Sequence, residues 1–275
     1  MKNIDPKTVE GFGDEWSAFD QRALQGKELD DLFDSYFAIF PFDELPPNAE
    51  GFDLGCGSGR WARLVAPKVG RLHCIDPSPK ALTVALSSLA DRDNVEFHLA
   101  GVDDIPLPDA SQDFGYSLGV LHHIPDTETG LASCVRKLKP GAPFLLYLYY
   151  SLDNRPAAYR ALWRVSDVLR RGISKLPFPA RLGLANIIAA GAYFPLARTA
   201  RFAERRGRDV HGYPLSAYRD CSFYTMRTDA LDRFGTRLEH RFSRAEIEGM
   251  MTHCDLTCIV FSERMPFWVA CGRKA

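Results

Sequence analysis

Short apolar runs alternate with amphipathic stretches through the first 150 residues of the chain. The apolar runs are short enough for strands, and they end at turn signals such as glycine, proline or aspartate. The stretches between them repeat apolar residues every three or four positions, which is the spacing of a helix with one buried face. Strands that alternate with helices in this way favour a parallel sheet covered on both faces.

The order of these elements is regular. A stripe from Leu29 to Phe40 predicts an amphipathic helix that ends before Pro41, because a residue that precedes proline avoids the helical conformation. A first strand contains Phe52 and Asp53. After it the pattern predicts, in order, a strand at 71–76, a helix at 79–89, a strand at 95–99, a fourth strand within 112–124, a helix at 126–138 and a strand at 144–150.

The last part of the chain predicts two helices and a hairpin. Thr228 and Asp229 are expected to start a short helix, and Ser243 with Glu246 has the pattern of a capping box that opens another. The apolar runs 256–261 and 267–271 are joined by a short connection, which favours an antiparallel pair of strands.

Between these parts lies a basic segment. From Arg155 to Arg208 the sequence has 12 Lys or Arg and 2 acidic residues, although the whole chain has a net charge of −1. Asn154 is expected to cap a helix that begins at Arg155 and Pro156. The arginines are either solvated or form a basic cap over a ligand site, which would favour an anionic or amphiphilic ligand or a membrane surface.

A charge-free run of 16 residues, 182–197, lies inside this basic segment. It is shorter than the roughly 20 residues that a membrane span needs. We therefore expect a buried helix of the cap or a helix at an interface. RNA is the less favoured polyanion, because nucleic-acid binders more often spread their charge over a domain or carry a recognisable module.

A glycine-rich loop follows the first strand. Gly55, Gly57 and Gly59 allow a sharp turn and a close approach to a ligand, and Ser58 is expected to cap a helix that begins near Arg60. The N–H groups at the start of that helix would face an anion. The spacing is G-x-G-x-G, so it does not match the G-x-G-x-x-G fingerprint of dinucleotide-binding folds.

The loop with its preceding Asp53 resembles motif I of the class I S-adenosylmethionine-dependent methyltransferases, of the small-molecule type with a type 11 or type 25 core. The resemblance implies an α/β fold with a doubly wound, Rossmann-like, seven-stranded sheet whose last strand is antiparallel, and a helical cap inserted after strand five. We expect a single domain over residues 1–275. Its parts would be an N-terminal arm and helix (1–48), a cofactor-binding core (49–150), the basic cap (151–227) and a closing helix and hairpin (228–275).

The resemblance makes S-adenosylmethionine the expected cofactor. Its methionyl part would lie on the loop, and Asp76 at the end of the second strand is placed to accept the ribose hydroxyls. The family's usual acid for adenine is replaced by Gly101, which leaves the Val102 backbone and the Asp103 side chain as candidates. The full set of expected cofactor-binding residues is Asp53, Gly55, Cys56, Gly57, Gly59, Asp76, Pro77, Val102, Asp103, Leu118 and Gly119.

Candidates for chemistry and acceptor binding surround this core. His123, or less favourably His122, would act as a base for a hydroxyl acceptor at the end of the fourth strand, although either histidine could merely pack. The residues expected to contact the acceptor are Trp16, Tyr149, Asn154, Arg155, Tyr224 and Arg227. Trp16 lies in a polar stretch, 5–19, that we interpret as an irregular arm. It either packs on the surface or, as in many methyltransferases of the class that the chain resembles, folds over the cofactor with Trp16 or Phe19 stacked there.

Composition narrows the setting. The seven cysteines are scattered without a C-x-x-C pair, which predicts reduced thiols and no metal set. The N-terminus lacks the apolar segment of a signal peptide, so we expect a cytoplasmic protein. Oligomeric state cannot be read from the sequence.

These observations favour methyl transfer from S-adenosylmethionine to a small or amphiphilic acceptor, most readily at oxygen. The Asn/Asp-Pro-Pro-aromatic motif of base-amine methyltransferases and the Pro-Cys nucleophile of cytosine methyltransferases are both missing. A non-catalytic cofactor-binding or regulatory protein and an RNA methyltransferase that uses the basic segment are the alternatives. A Rossmann oxidoreductase is a more distant one.

Overall fold

A computed structural model describes residues 2–210 and 212–275 of the chain, which divides into two compact units. The first unit contains the chain up to Gln21 together with Asp31–Asn154 and Leu238–Ala275. The second contains Arg22–Asp30 and Arg155–Arg237. The basic segment therefore belongs to a unit that continues to Arg237, ten residues beyond the predicted cap boundary at 227.

The first unit is built on a seven-stranded sheet with the strand order β3-β2-β1-β4-β5-β7-β6. The first five strands are parallel, and β7 pairs antiparallel with both β5 and β6. The strands are β1 Glu50–Leu54, β2 Arg71–Asp76, β3 Val95–Leu99, β4 Phe114–Leu118, β5 Pro143–Tyr147, β6 Leu256–Phe261 and β7 Val269–Lys274. This confirms the predicted fold class, and the strand order reverses between β1 and β4, where ligands of such sheets bind.

Ten α-helices accompany the strands in the described part of the chain. They are α1 Pro6–Ala18, α2 Lys27–Phe37, α3 Ala62–Val65, α4 Pro79–Ser88, α5 Thr127–Val135, α6 Ala157–Ile173, α7 Phe178–Ile188, α8 Phe194–Glu204, α9 Phe223–Gly235 and α10 Arg244–His253.

The sheet buries an apolar layer on each face. One layer includes Phe52 and Phe144 and is covered by residues of α5 and α10. The other includes Phe114 and Tyr116 and is covered by α3, α4 and the aromatic side chains Phe33 and Phe37. The central strands are therefore buried on both faces, as expected for a parallel sheet covered by helices, whereas the edge strand β3 is only partly buried.

Two local predictions in the first unit were wrong. The stretch 5–19 is not irregular but holds helix α1, Pro6–Ala18, because Asp5 accepts the N–H of Thr8 at 2.7 Å as an N-cap and Pro6 occupies the first turn. Ser58 does not cap the helix after the glycine loop: that helix, α3, starts only at Ala62, its N-cap is Trp61, and no side chain caps it. The glycine loop is thus not followed directly by a long helix whose N-terminus would face an anion.

The end of the chain agrees with its sequence signals except in detail. The capping box of Ser243 and Glu246 is present with both of its hydrogen bonds. Strand β7 begins at Val269, two residues after the predicted start, and continues to Lys274.

The second unit contains α6 to α9, and three of its predicted features change. Helix α6 has Pro156 as its N-cap with no side-chain hydrogen bond, so Asn154 is not the cap. Helix α9 starts at Phe223 after an N-cap at Ser222, five residues before the predicted start at Thr228. Helices α7 and α8 are joined by a π-helical turn, Ala189–Tyr193, into one continuous rod.

This rod, Phe178–Glu204, is 27 residues long and is apolar enough to cross a membrane on length and composition alone. The charge-free run 182–197 alone indicates a segment too short to span a membrane. The helix is longer than this run, because it continues through Arg181 at one end and through Arg198 and Arg201 at the other. Only 22% of the most apolar window is buried within the protein.

The capping box offers a test of how the first unit is stabilised. Replacing Ser243 by alanine should lower the free energy of unfolding by about 1 kcal/mol, because the N–H of Glu246 in the first turn of α10 loses its acceptor, the Ser243 hydroxyl. Chemical denaturation monitored by circular dichroism measures this. Thr252→Ala on the same helix is the control and should change stability by less than about 0.5 kcal/mol; equal effects would contradict a capping role.

Candidate active site

The glycine loop is held in a left-handed conformation at the end of β1. Gly55, Gly57 and Gly59 have φ angles of 77°, 55° and 77°. The N–H groups of Gly55 and Cys56 both donate to the carbonyl of Ile75, at 2.7 and 3.2 Å. A Cβ on Gly55 would lie 2.3 Å from Val120, so this position requires glycine for space as well as for conformation.

Asp76 fixes the other side of the loop from the end of β2. One of its carboxylate oxygens accepts the N–H of Gly57 at 3.0 Å and the other accepts the N–H of Ser78 at 2.8 Å. Burial raises the pKa of Asp76 to about 6, although these two backbone hydrogen bonds oppose the rise. The group is therefore largely ionised at neutral pH, and each oxygen retains lone pairs for hydroxyl donors.

Asp53 lies deeper and has a different protonation state. Its side chain is 2% exposed, and its Oδ2 atom has no hydrogen-bond partner among the described residues. Burial raises its pKa to about 8, against the opposing effect of the Tyr116 hydroxyl and with a further increase from Asp76. At neutral pH Asp53 is mostly a neutral acid, and a cationic group brought beside it would favour its ionisation.

Helix α1 lies against this loop within the first unit. A Cβ on Gly57 would lie 2.8 Å from the indole nitrogen of Trp16, and the ring of Phe12 is 4.9 Å from that of His123. The preceding residue Asn3 exchanges two hydrogen bonds with the backbone of Asp126, at 2.7 and 2.8 Å. Trp16 therefore lies against the glycine loop, and its role toward a cofactor or an acceptor stays a prediction.

Asp103 and Val102 follow β3 in a short 3₁₀ turn. The Asp103 carboxylate accepts the backbone N–H of Asn3, and the Val102 side chain is buried. Next to them, beyond Asp76, is an open cavity of about 550 Å³ at the end of β3. Its lining is Lys2, Ile4, Pro77, Phe97, His98, Leu99, Ala100, Gly101, Asp104 and Pro106. Of the expected cofactor residues only Pro77 lines this cavity; Val102 and Asp103 do not.

The strand-four turn brings Gly119, Leu118 and the two histidines to the same edge of the sheet. Gly119 has a φ of 80°, and no atom would obstruct a Cβ there, whereas Leu118 is buried. His122 is fully buried, and its ring lies 3.9 Å from the rings of both His123 and Tyr149. Burial and the charges of His123, Arg241 and His240 lower the pKa of His122 well below its ordinary value, so this imidazole is neutral.

His123 is oriented by a hydrogen bond to a backbone carbonyl in the last part of the chain. Its Nδ1 lies 2.7 Å from the carbonyl of Leu238, so Nδ1 must carry the proton and donate. In the neutral ring, Nε2 is then the basic nitrogen. Tyr149, which contacts both histidine rings, is itself covered by the guanidinium of Arg241 at 5.0 Å.

The remaining predicted acceptor contacts are divided between the units. Asn154 is exposed at the end of a stretch of the first unit. Arg155, Tyr224 and Arg227 belong to the second unit, where Arg155 lies over the ring of Tyr159 and Arg227 donates to the Asn186 side chain at 2.7 Å. Their roles toward an acceptor stay predictions.

Several residues of the site were missed. Phe12 lies one helical turn before Trp16, and the Asp5-Pro6 start of α1 was the signal that would have placed both on one face. Tyr116 and Arg241 gave no local signal, because their positions depend on strand pairing and on the return of the chain after residue 237. A further group, His73, Glu96 and His98, has the composition of a metal site, but it lies along β2 and β3, and His73 already bonds His98 at 3.0 Å and Glu50 at 2.8 Å.

Comparison with known proteins identifies the family. The model of a methyltransferase domain matches residues 52–146. The ubiquinone biosynthesis O-methyltransferase of Xanthomonas campestris pv. campestris is 30% identical over 185 residues, which cover 66% of this chain and 73% of that protein. The chain belongs to the class I S-adenosylmethionine-dependent methyltransferases.

Other relatives of this methyltransferase match over shorter lengths or through the fold alone. Phosphoethanolamine N-methyltransferase 2 of Caenorhabditis elegans is 32% identical over 39% of this chain, but the match spans only 25% of that protein. A methyltransferase of Methanosarcina mazei has the same fold with a TM-score of 0.51 and 18% identity, over 84% of this chain and 95% of that one. A putative methyltransferase of Bacillus halodurans also has a TM-score of 0.51, with 14% identity over 86% and 74% of the two chains.

The residues present fit S-adenosylmethionine as the cofactor of this methyltransferase. The unsatisfied oxygen of Asp53 is a buried acceptor suited to a cationic group, and Asp76 offers a carboxylate to hydroxyls. Gly57 lies between Trp16 and Asp76, and the absence of a side chain there matters because a Cβ would come within 2.8 Å of the Trp16 indole nitrogen. The assignment of each residue to a part of the cofactor stays a prediction.

The protonation of Asp76 provides the first test of these assignments. Binding of S-adenosylhomocysteine, measured by calorimetry, should weaken as the pH falls through about 6, because the raised pKa makes Asp76 neutral below that value. Asp76→Asn should bind about tenfold more weakly or worse at neutral pH. Asp91→Asn on the surface is the control. Unchanged affinity of Asp76→Asn would remove Asp76 from the ligand contacts.

Asp53 should make the cofactor-free protein less stable at high pH. Its pKa is raised from 3.8 to about 8, so the folded state binds a proton that the unfolded chain has released. The free energy of unfolding should therefore fall as the pH rises from about 4 to about 8. Between about pH 7 and 8, where Asp76 is largely ionised and histidines are largely neutral in the unfolded chain, that slope belongs to Asp53.

Asp53→Asn should abolish the slope in this upper window and raise the free energy of unfolding above pH 7 by about 1 kcal/mol or more. Denaturant titrations at several pH values measure both effects. A slope that persists in Asp53→Asn would show that another group carries it.

Proposed function

We propose that this methyltransferase methylates an oxygen of a small or amphiphilic acceptor, with His123 as the general base. The observation that carries the proposal is the hydrogen bond from His123 Nδ1 to the Leu238 carbonyl, which leaves Nε2 as the nitrogen able to take a proton. An O-methyltransferase among the relatives, matched over most of its length, supports the same class of acceptor.

The chemistry needs few groups from the protein. S-adenosylmethionine supplies an electrophilic methyl carbon, so the main tasks left to the protein are alignment and the exclusion of water. A hydroxyl acceptor is a weak nucleophile until its proton is removed, and His123 Nε2 takes that proton as the oxygen–carbon bond forms. The electron pair of the broken carbon–sulfur bond remains on sulfur.

His122 is better suited to positioning than to proton transfer. It is fully buried, its pKa is strongly lowered, and its ring stacks on Tyr149 and contacts His123 at a tilt. The backbone N–H of His240 donates to its carbonyl at 2.9 Å, so the chain around 238–242 holds both histidines in place. The predicted order of the two candidates, with His123 first, is the one that this geometry favours.

The base assignment is tested by replacing His123. His123→Ala should lower kcat by about a hundredfold or more with an oxygen acceptor, while leaving the affinity for S-adenosylhomocysteine within about threefold. His253→Ala, an exposed histidine on α10, is the matched control. An unchanged kcat would show that His123 only packs.

The acceptor class is tested with methyl-labelled cofactor and a cell extract separated into lipid, small aqueous and RNA fractions. Label in the lipid or small-molecule fraction, released by conditions that cleave esters or retained as an ether, would support the proposal. Label in RNA, or label on an amine, would replace it. Cofactor binding without any transfer would instead favour the non-catalytic alternative.

A further inference from the structure

Helix α6 is oriented with apolar side chains outward. Val165, Val168 and Leu169 are 63%, 70% and 57% exposed, and Leu176, just after the helix, is 40% exposed. Their spacing places them on one side of the helix, so they form a continuous strip that we call the apolar stripe. In an ordinary amphipathic helix of a globular protein these would be the buried positions.

The opposite side of α6 buries charge instead. Asp167 and Arg170 are each 6% exposed, and their side chains are joined at 2.7 Å. Arg170 also donates to the carbonyl of Thr236 at 3.0 Å, and Arg171 reaches Asp167 at 2.9 Å. Breaking such buried pairs is costly, so these contacts fix the rotation of α6 and keep the apolar stripe outside.

A row of cations lies along one side of the apolar stripe. It consists of Arg160, Arg164, Arg171 and Lys175, all exposed, and we call it the basic row. On an α-helix these positions fall between the buried side and the apolar stripe. An apolar strip bordered by cations is the arrangement of a helix that lies in the headgroup region of a membrane.

We infer that the second unit binds to the surface of an anionic lipid bilayer through α6, with the apolar stripe in the outer part of the hydrocarbon and the basic row at the headgroups. Charge decides this choice of partner. The segment that contains α6 has 12 basic and 2 acidic residues, whereas the whole chain is near neutrality. Each cation near such a surface contributes to binding, so the local excess acts where the chain as a whole does not.

The rod formed by α7 and α8 supports surface binding independently. Phe194 and Phe202 are 41% and 55% exposed, and the guanidinium groups of Arg198 and Arg206 lie over them at 5.0 and 4.1 Å. Phe202 with the exposed Arg206 combines an apolar body with a hydrated charge, which suits the boundary between lipid and water. The Arg198 guanidinium is instead held by backbone carbonyls of the protein.

The other side of the same rod packs against the rest of the second unit, which argues that the rod lies on a membrane surface and does not span the membrane. It buries a series of small residues, Ala185, Ala189, Ala197, Ala200 and Ala203. Arg181 donates to the carbonyl of Gly235 at 2.8 Å, and Arg198 donates to that of Arg219 at 2.8 Å. A spanning helix would have to abandon these contacts.

The inference is tested by sedimentation of the full chain with vesicles. The protein should bind vesicles of phosphatidylcholine mixed with phosphatidylglycerol, and it should bind vesicles of phosphatidylcholine alone much more weakly. Arg160→Gln with Arg164→Gln should weaken binding by about tenfold or more, and added salt should weaken the wild type. Val165→Ser with Val168→Ser and Leu169→Ser should weaken it by a similar factor with little change in salt dependence.

A matched control uses exposed apolar residues of the first unit, Leu86→Ser with Val260→Ser, which should bind vesicles like the wild type. Unchanged affinity for S-adenosylhomocysteine and an unchanged circular dichroism spectrum establish that the variants fold. No binding of the wild type to anionic vesicles, or equal binding by all variants, would overturn the inference. The inference would also be overturned if the wild type bound a labelled RNA oligonucleotide but not vesicles, and if the arginine variant lost that RNA binding. None of these readouts depends on which acceptor is methylated.

Discussion

The end of strand β2 holds the site together. The carbonyl of Ile75 takes two N–H groups of the glycine loop, and the next residue, Asp76, takes a third from Gly57. Glycine populates left-handed and right-handed conformations about equally, so the glycine loop by itself has little preference for the left-handed conformation that it adopts. Three hydrogen bonds to the end of β2 hold the loop in this one conformation. Trp16, Val120 and the buried Asp53 then lie around a loop whose backbone is fixed.

The parts of the fold that follow from local periodicity were predicted well. Strands β2 and β3 have the predicted bounds, and the capping box that opens α10 is present, because each is signalled by residues that are neighbours in the sequence. The family resemblance supplied the antiparallel end of the sheet and the cofactor. The polar character of residues 5–19 predicts an irregular arm, whereas the two residues Asp5 and Pro6 are the short signal that starts α1 and brings its aromatic side chains to the site.

The second unit shows a different limit. An apolar and a basic side are both visible in the sequence of α6, but the sequence does not say which side faces the protein. The usual rule buries the apolar side, and here the ion pair of Asp167 and Arg170 with the Thr236 carbonyl reverses it. The partners of that pair lie more than sixty residues away in sequence, so only the folded chain reveals the orientation. The acceptor contacts of Arg155, Tyr224 and Arg227 depend on the same folded unit.

Helix α1 has a consequence for the pace of the reaction cycle. Trp16 lies on Gly57, Phe12 lies on His123, and Asn3 is tied to Asp103 and Asp126. A spent cofactor on this loop would leave most directly if α1 peeled away first, which breaks the Asn3 hydrogen bonds and separates two aromatic contacts. Exchange of the cofactor would then depend on contacts made by residues of one N-terminal helix that take no part in the chemistry.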